Sequence, residues 1–161
     1  LKALELDPSS PDAHMELGHF YAFEGKHVEA ANEFKSVLTL RPTDEKAWFS
    51  LGTVYMSSGK SSDAMAALRK AKEINPNYSD ASFNLGLTLY RMGKTLEAER
   101  EWEYTINIDP KYPRALYNLA NIYELRGEKE KAAGMYKNFI DAAGGNFPAE
   151  VEIAKKKIRG G

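Results

Sequence analysis

Residues 45 to 78 read EKAWFSLGTVYMSSGKSSDAMAALRKAKEINPNY, and the fold turns on whether this stretch is unique or one copy of a series. Four prolines answer the question, because Pro8, Pro42, Pro76 and Pro110 stand at intervals of 34 residues. A fixed interval of that length is the mark of a repeat architecture. Laying the chain out in the same frame aligns Leu17, Leu51, Leu85 and Leu119, then Gly18, Gly52, Gly86 and Ala120, then Gly25, Gly59, Gly93 and Gly127. Ala30, Ala64, Ala98 and Ala132 form a further column of small residues. Two columns are bulky: Tyr21, Tyr55, Leu89 and Tyr123, and Phe34, Leu68, Trp102 and Tyr136.

Trp48, Leu51, Gly52, Tyr55, Ala64, Leu68 and Pro76 stand in the order and spacing of the tetratricopeptide repeat, and each unit resembles that family. His14 and Ser82 depart from the pattern at the tryptophan position, and Gly144 departs at the last proline. The resemblance implies an all-α fold, an α-solenoid wound as a right-handed superhelix of antiparallel helix pairs. It divides the chain into repeats at 11–44, 45–78, 79–112 and 113–146. Residues 1–8, LKALELDP, align with the end of a second helix, so the chain is expected to begin inside a truncated repeat of a longer protein. Residues 147–161 are expected to form a capping helix, with Pro148 at its start and Val151, Ala154 and Ile158 on its apolar face.

The unit also follows from elementary chemistry. Ser10-Pro11 and Thr43-Asp44 offer capping side chains and a pre-set φ at helix starts. The turn glycines permit the left-handed conformation that ends a first helix, and a short turn then forces an antiparallel neighbour. The small columns are expected to face each other within a pair, with the bulky columns filling the space between pairs. One pair cannot bury its apolar stripe alone, so pairs stack.

Composition narrows the function. The 161 residues are 43% hydrophobic and 28% charged, the balance of a soluble folded protein. Lys and Arg number 22 against 23 Asp and Glu, a net charge of -1, which offers no field for a phosphate backbone and predicts no nucleic-acid partner. No apolar run approaches the roughly 18 residues of a membrane-spanning helix, so membrane insertion is not expected. The first residues lack the apolar core of a signal peptide. The absence of cysteine excludes disulfides, thiol catalysis and Cys-ligated metal, and it leaves the compartment open, cytoplasmic and periplasmic alike.

Several motifs invite a catalytic reading and fail it. Ser58-Gly59-Lys60-Ser61 and Gly93-Lys94-Thr95 resemble the end of a phosphate-binding loop, but the required upstream glycines are Val54 and Thr88. Glu97, Glu99, Glu101 and Glu103 read as a solvated helix face. His14, His19 and His27 lack metal-ligand spacing, and His14 takes the packing position of Trp48. The sequence therefore predicts no catalytic residue, no metal and no cofactor, and the chain is not expected to be an enzyme.

The resemblance assigns ligand contact to the concave surface lined by the first helices. At the fifth position of each unit stand Met15, Phe49, Phe83 and Tyr117, and at the sixth Glu16, Ser50, Asn84 and Asn118. His19, Phe23, Met56, Leu87, Tyr90, Arg91, Arg114 and Asn121 flank them. An asparagine amide donates and accepts at once, which suits the backbone of an extended peptide; the same asparagines could instead tie neighbouring repeats together. The leading expectation is a protein-interaction scaffold that holds a peptide or helical segment in a concave groove. A regulatory or substrate-presenting part of a larger enzyme, and a structural module that self-associates through an open N-terminal edge, are the alternatives. RNA binding, as in related helical repeats, is set against the charge balance.

Overall fold

The structure, a computed structural model, describes residues 10 to 160, so the expectation for residues 1–8 lies outside the described residues. Every regular element among the described residues is an α-helix: α1 (Pro11–Phe23), α2 (His27–Leu40), α3 (Glu45–Ser57), α4 (Ser61–Ile74), α5 (Ser79–Arg91), α6 (Thr95–Ile108), α7 (Pro113–Leu125), α8 (Lys129–Ala143) and α9 (Pro148–Gly160). The chain forms two compact units, α1 to α5 in the first, which ends at Lys94, and α6 to α9 in the second, which begins at Thr95.

Each first helix stops at a left-handed glycine. Gly25, Gly59, Gly93 and Gly127 have φ of 72°, 74°, 77° and 77°. The residue after each glycine returns its N–H to a carbonyl five residues back: Lys26 to Tyr21, Lys60 to Tyr55, Lys94 to Leu89 and Glu128 to Tyr123, at 2.8 to 3.0 Å. These bonds satisfy carbonyls that the helix end would otherwise leave open. The acceptors form one of the aligned columns, so side-chain register and turn are fixed together.

The second helices stop for a different reason. α2, α4 and α6 end at Leu40, Ile74 and Ile108, two residues before Pro42, Pro76 and Pro110. A proline pushes the preceding residue out of the helical region, and Arg41 and Asn75 have φ of -132° and -127°. Oδ1 of Asn75 and of Asp109 then accepts the N–H two residues on, from Asn77 at 3.1 Å and Lys111 at 3.0 Å, which shapes the turn. Gly144 stands where the last proline would be. There α8 runs to 15 residues rather than the 14 of the other second helices, and it ends on Gly144 at φ 54°.

In the first unit α1 packs on α2, α2 on α3, α3 on α4 and α4 on α5. The close approach within a pair differs from the expected contact of small on small. A methyl group at Gly18 would lie 2.7 Å from Cε1 of Phe34, and one at Gly52 would lie 2.7 Å from Cγ of Leu68. The bulky column thus drops onto the glycine of its own pair, because Phe34 and Leu68 come one helical turn after Ala30 and Ala64 and meet the facing helix at that height. Between pairs, Ala30, Ala31, Phe34, Val37 and Leu38 of α2 form a core with Ala47, Leu51 and Val54 of α3. Trp48 is half-buried at the edge of this core, where its Nε1 donates to the Pro42 carbonyl at 2.9 Å. His14, one frame earlier, stands with Nδ1 2.6 Å from Glu33 Oε2. Asp44 caps α3 by accepting the Ala47 N–H at 2.9 Å.

In the second unit α6 packs on α7, α7 on α8 and α8 on α9. Leu116, Leu119, Ile122 and Tyr123 of α7 and Tyr136 and Phe139 of α8 are buried. The reading of the four glutamates as a solvated face fails at Glu99, while Glu103 is exposed. Glu99 is 9% exposed and pairs with Arg126, and Glu103 Oε1 accepts the Tyr123 hydroxyl at 3.0 Å. A long amphipathic side chain on a flanking position reaches a polar group at the end of the neighbouring helix, which helical spacing on α6 alone does not reveal.

Two stability outcomes follow from the glycines. A side chain at Gly59 meets no atom within 4 Å, so Gly59→Val strains only the backbone and costs at least about 1 kcal/mol, with Gly59→Asn costing less. Gly52→Ala instead drives a methyl into Leu68 and costs about 1 to 3 kcal/mol, part of which Leu68→Ala relieves. Denaturant midpoints for both series are the check. Equal losses for Val and Asn at position 59, or strict additivity at 52 and 68, contradict these assignments.

Candidate functional site

The first helices of the first unit lie side by side, since α1 touches α3 and α3 touches α5. Of the fifth-position residues there, Met15 and Phe49 are half-buried. Met15 packs against the core of the unit, and the Phe49 ring stands 4.9 Å from the Tyr78 ring at 44°. Burial, helped by Asp80 and Glu45, pushes the Tyr78 hydroxyl up to about 12. Phe83 departs from the expected aromatic strip: at 2% exposed it is a core residue and offers no edge to a ligand. Its helix, α5, is turned so that Ala81, Ser82, Phe83, Leu85 and Leu89 all point inward.

At the sixth position Glu16 is exposed, Ser50 is buried and Asn84 is half-buried. Asn84, Leu87 and Arg91 follow one another at i, i+3 and i+7 and share a stripe of α5. Leu87 is half-buried, and Tyr90 and Arg91 are exposed. Met56 on α3 is half-buried, Phe23 on α1 is exposed, and His19 on α1 is exposed with its ring edge-on to Phe34 at 5.2 Å.

In the second unit the corresponding residues sit on α7. Arg114 is exposed, and Tyr117, Asn118 and Asn121 are half-buried. The Tyr117 ring lies 4.9 Å from Phe139 and 5.9 Å from Tyr136. Asn121 belongs to a polar network: the Tyr136 hydroxyl stands 2.7 Å from Asn121 Oδ1 and 2.8 Å from Glu124 Oε2, and Lys157 of α9 donates to the same Glu124 oxygen. The Lys157 ammonium, with the Tyr136 hydroxyl, holds the Glu124 carboxyl below its usual range against an opposing effect of desolvation. Among the described residues the side-chain amides of Asn84 and Asn118 have no hydrogen-bond partner.

Sequence reasoning assigned Asn121 to ligand contact and missed the network that engages it. The signal was present in the columns. Tyr136 falls in a column otherwise filled by Phe34, Leu68 and Trp102, and a buried hydroxyl needs a partner. No described helix is long and apolar enough to cross a membrane.

Comparison with known proteins adds to this geometry. A family model described as TPR repeat matches residues 52–93, and one described as tetratricopeptide repeat matches residues 80–147. Among solved structures, YrrB, described as a TPR protein with an unusual peptide-binding site, is 30% identical. It aligns over 96% of this chain and 79% of its own, with a TM-score of 0.75. MamA is 29% identical over 88% of this chain and 82% of its own, with a TM-score of 0.80. PilF of Pseudomonas aeruginosa, at 24% identity, shares the fold over 99% of this chain and 76% of its own, with a TM-score of 0.84. No curated protein matches the chain.

The Glu124 network gives a pH outcome. Its carboxyl is depressed in the folded state, so the stabilisation it lends to α9 is complete above the ordinary carboxylate range and is lost as pH falls through the depressed value. Amide exchange of α9, corrected for the intrinsic pH dependence, should lose protection on acidification, and Glu124→Gln should flatten that response. An identical acid response in wild type and Glu124→Gln would detach the network from α9.

Proposed function

The chain belongs to the tetratricopeptide repeat family, a fold of protein-interaction scaffolds, and on that premise we propose that it holds a peptide or helical segment of a partner against its first helices. The observation that carries this reading is the recurrence of a half-buried asparagine, Asn84 on α5 and Asn118 on α7, 34 residues apart and each on a partly exposed face. Each amide offers one donor pair and one acceptor to a peptide backbone in its own unit. On α5 with Asn84, the half-buried Leu87 and the exposed Tyr90 would supply apolar contact and Arg91 polar contact, and Met56 on α3 and His19 on α1 would extend that surface along the first helices. Around Asn118, Tyr117 and Arg114 serve the same ends, and Asn121 is steadied by Tyr136. Phe83 supports α5 from behind and does not meet the ligand. The peptide-binding site ascribed to YrrB is consistent with a peptide as the class of ligand.

Peptides selected from a displayed library against the intact chain provide the probe. Asn84→Ala and Asn118→Ala should each weaken a selected peptide by about 1 to 3 kcal/mol through the unpaired backbone groups left behind. Melting temperatures should stay near wild type, and Phe83→Ala should lower melting instead. Calorimetric affinity unchanged in the double asparagine variant, with a lowered melting temperature, would assign both residues to structure and end the peptide-clamp reading.

A further inference from the structure

The charges that surround Tyr55 are inverted around its counterpart two repeats on. In the second unit Tyr123 stands among Glu103, Glu128 and Lys131. Its hydroxyl donates to Glu103 Oε1 at 3.0 Å, the Lys131 ammonium lies 5.4 Å from the centre of its ring, and Lys131 pairs with Glu128 at 2.5 Å. In the first unit the same three positions hold Lys35, Lys60 and Asp63. Both ammonium groups lie 5.9 Å from the centre of the Tyr55 ring. Tyr55 thus keeps the hydroxyl and loses the carboxylate that answers it. Among the described residues that hydroxyl has no hydrogen-bond partner.

Tyr55 also lines a groove of about 420 Å³, where Leu38 of α2, Trp48 and Leu51 of α3, and Ala66 and Ala67 of α4 come together. α3 packs on both α2 and α4, so the groove lies between successive pairs and not at an end of the described helices. The charged residues of its lining are Lys35 and Asp63, with Lys60 at the same tyrosine ring; all three are exposed and none is in an ion pair. We propose that this groove binds a partner segment carrying a glutamate beside an aliphatic residue. The glutamate carboxylate accepts from the Tyr55 hydroxyl, as Glu103 accepts from Tyr123, and meets the Lys35 ammonium. The aliphatic side chain lies on Trp48, Leu51 and Ala67. Two ammonium groups against one carboxylate favour a negative group at the ring, and Asp63 on α4 limits that preference to a single glutamate rather than an acidic run. The asparagine stripes of α5 and α7 take no part.

The intact chain, labelled for amide and indole spectra, tests the proposal with two capped peptides. One has a single glutamate between two leucines, flanked by glycine and serine, and the other has glutamine in place of the glutamate. The glutamate peptide should move the Trp48 indole and Ala67 amide signals saturably, weaken with added salt, and bind about fivefold or more tightly than its glutamine counterpart. Tyr55→Phe removes a hydroxyl that no described residue engages, so the melting temperature should stay near wild type while the glutamate peptide weakens about threefold or more. Lys35→Glu restores the carboxylate of the second unit and should abolish the preference for glutamate. Absence of these shifts, shifts confined to other helices, equal binding of the two peptides, or a preference unchanged in Tyr55→Phe and Lys35→Glu overturns the proposal. So does movement of the same signals with protein concentration alone, which would give the groove to a second copy of the chain.

Discussion

The first unit depends on a large side chain lowered onto a glycine in each of the pairs α1/α2 and α3/α4. Phe34 on Gly18 and Leu68 on Gly52 bring two backbones to a separation that any Cβ would prevent. Dispersion and apolar burial are greatest at such short range, and neither helix could bury its stripe without the other. The left-handed glycine of the turn serves the same contact from a distance. It reverses the chain at a fixed height, so that the bulky residue arrives opposite the small one.

That arrangement also decides which residues remain for other work. A first helix has much of its surface committed to neighbouring helices, and α5 shows the result: seven of its thirteen residues are buried. What is left is a narrow stripe, Asn84, Leu87 and Arg91, too small for a deep pocket but long enough to meet an extended segment. On α7 part of the equivalent stripe is drawn into structure, because Tyr136 brings a hydroxyl into a buried column and Asn121 and Glu124 answer it. The Glu124 network thus occupies positions on α7 whose counterparts on α5 are assigned to the proposed peptide contacts.

The helices and their turns were legible because they depend on local chemistry repeated at one interval. A proline sets the end of a second helix and a glycine the end of a first, whatever lies around them. The partners of individual side chains were less legible. That Gly18 meets Phe34 rather than Ala30 depends on the relative height of two helices, which periodicity along either one leaves free. Glu99 looked like its neighbours Glu97 and Glu101 until Arg126, 27 residues on, came to lie beside it. Phe83 occupies the same column as Phe49, yet its burial depends on how far α5 is turned inward, and a column records type and not rotation. The asparagine faces were read from a family resemblance and stand as a reading of exposed positions on the structure.

Within each unit the helices pack chiefly on their neighbours in sequence, and this locality bears on how the units form. A contact between adjacent helices closes a loop of a few tens of residues at most, so little chain entropy is lost before the first apolar contacts are made. No single helix pair has to wait for a distant strand or terminus, and any pair can serve as the starting point for those beside it. Such a unit assembles and opens from place to place along its length instead of all at once, and the speed of each step is set by the turn that joins the two helices.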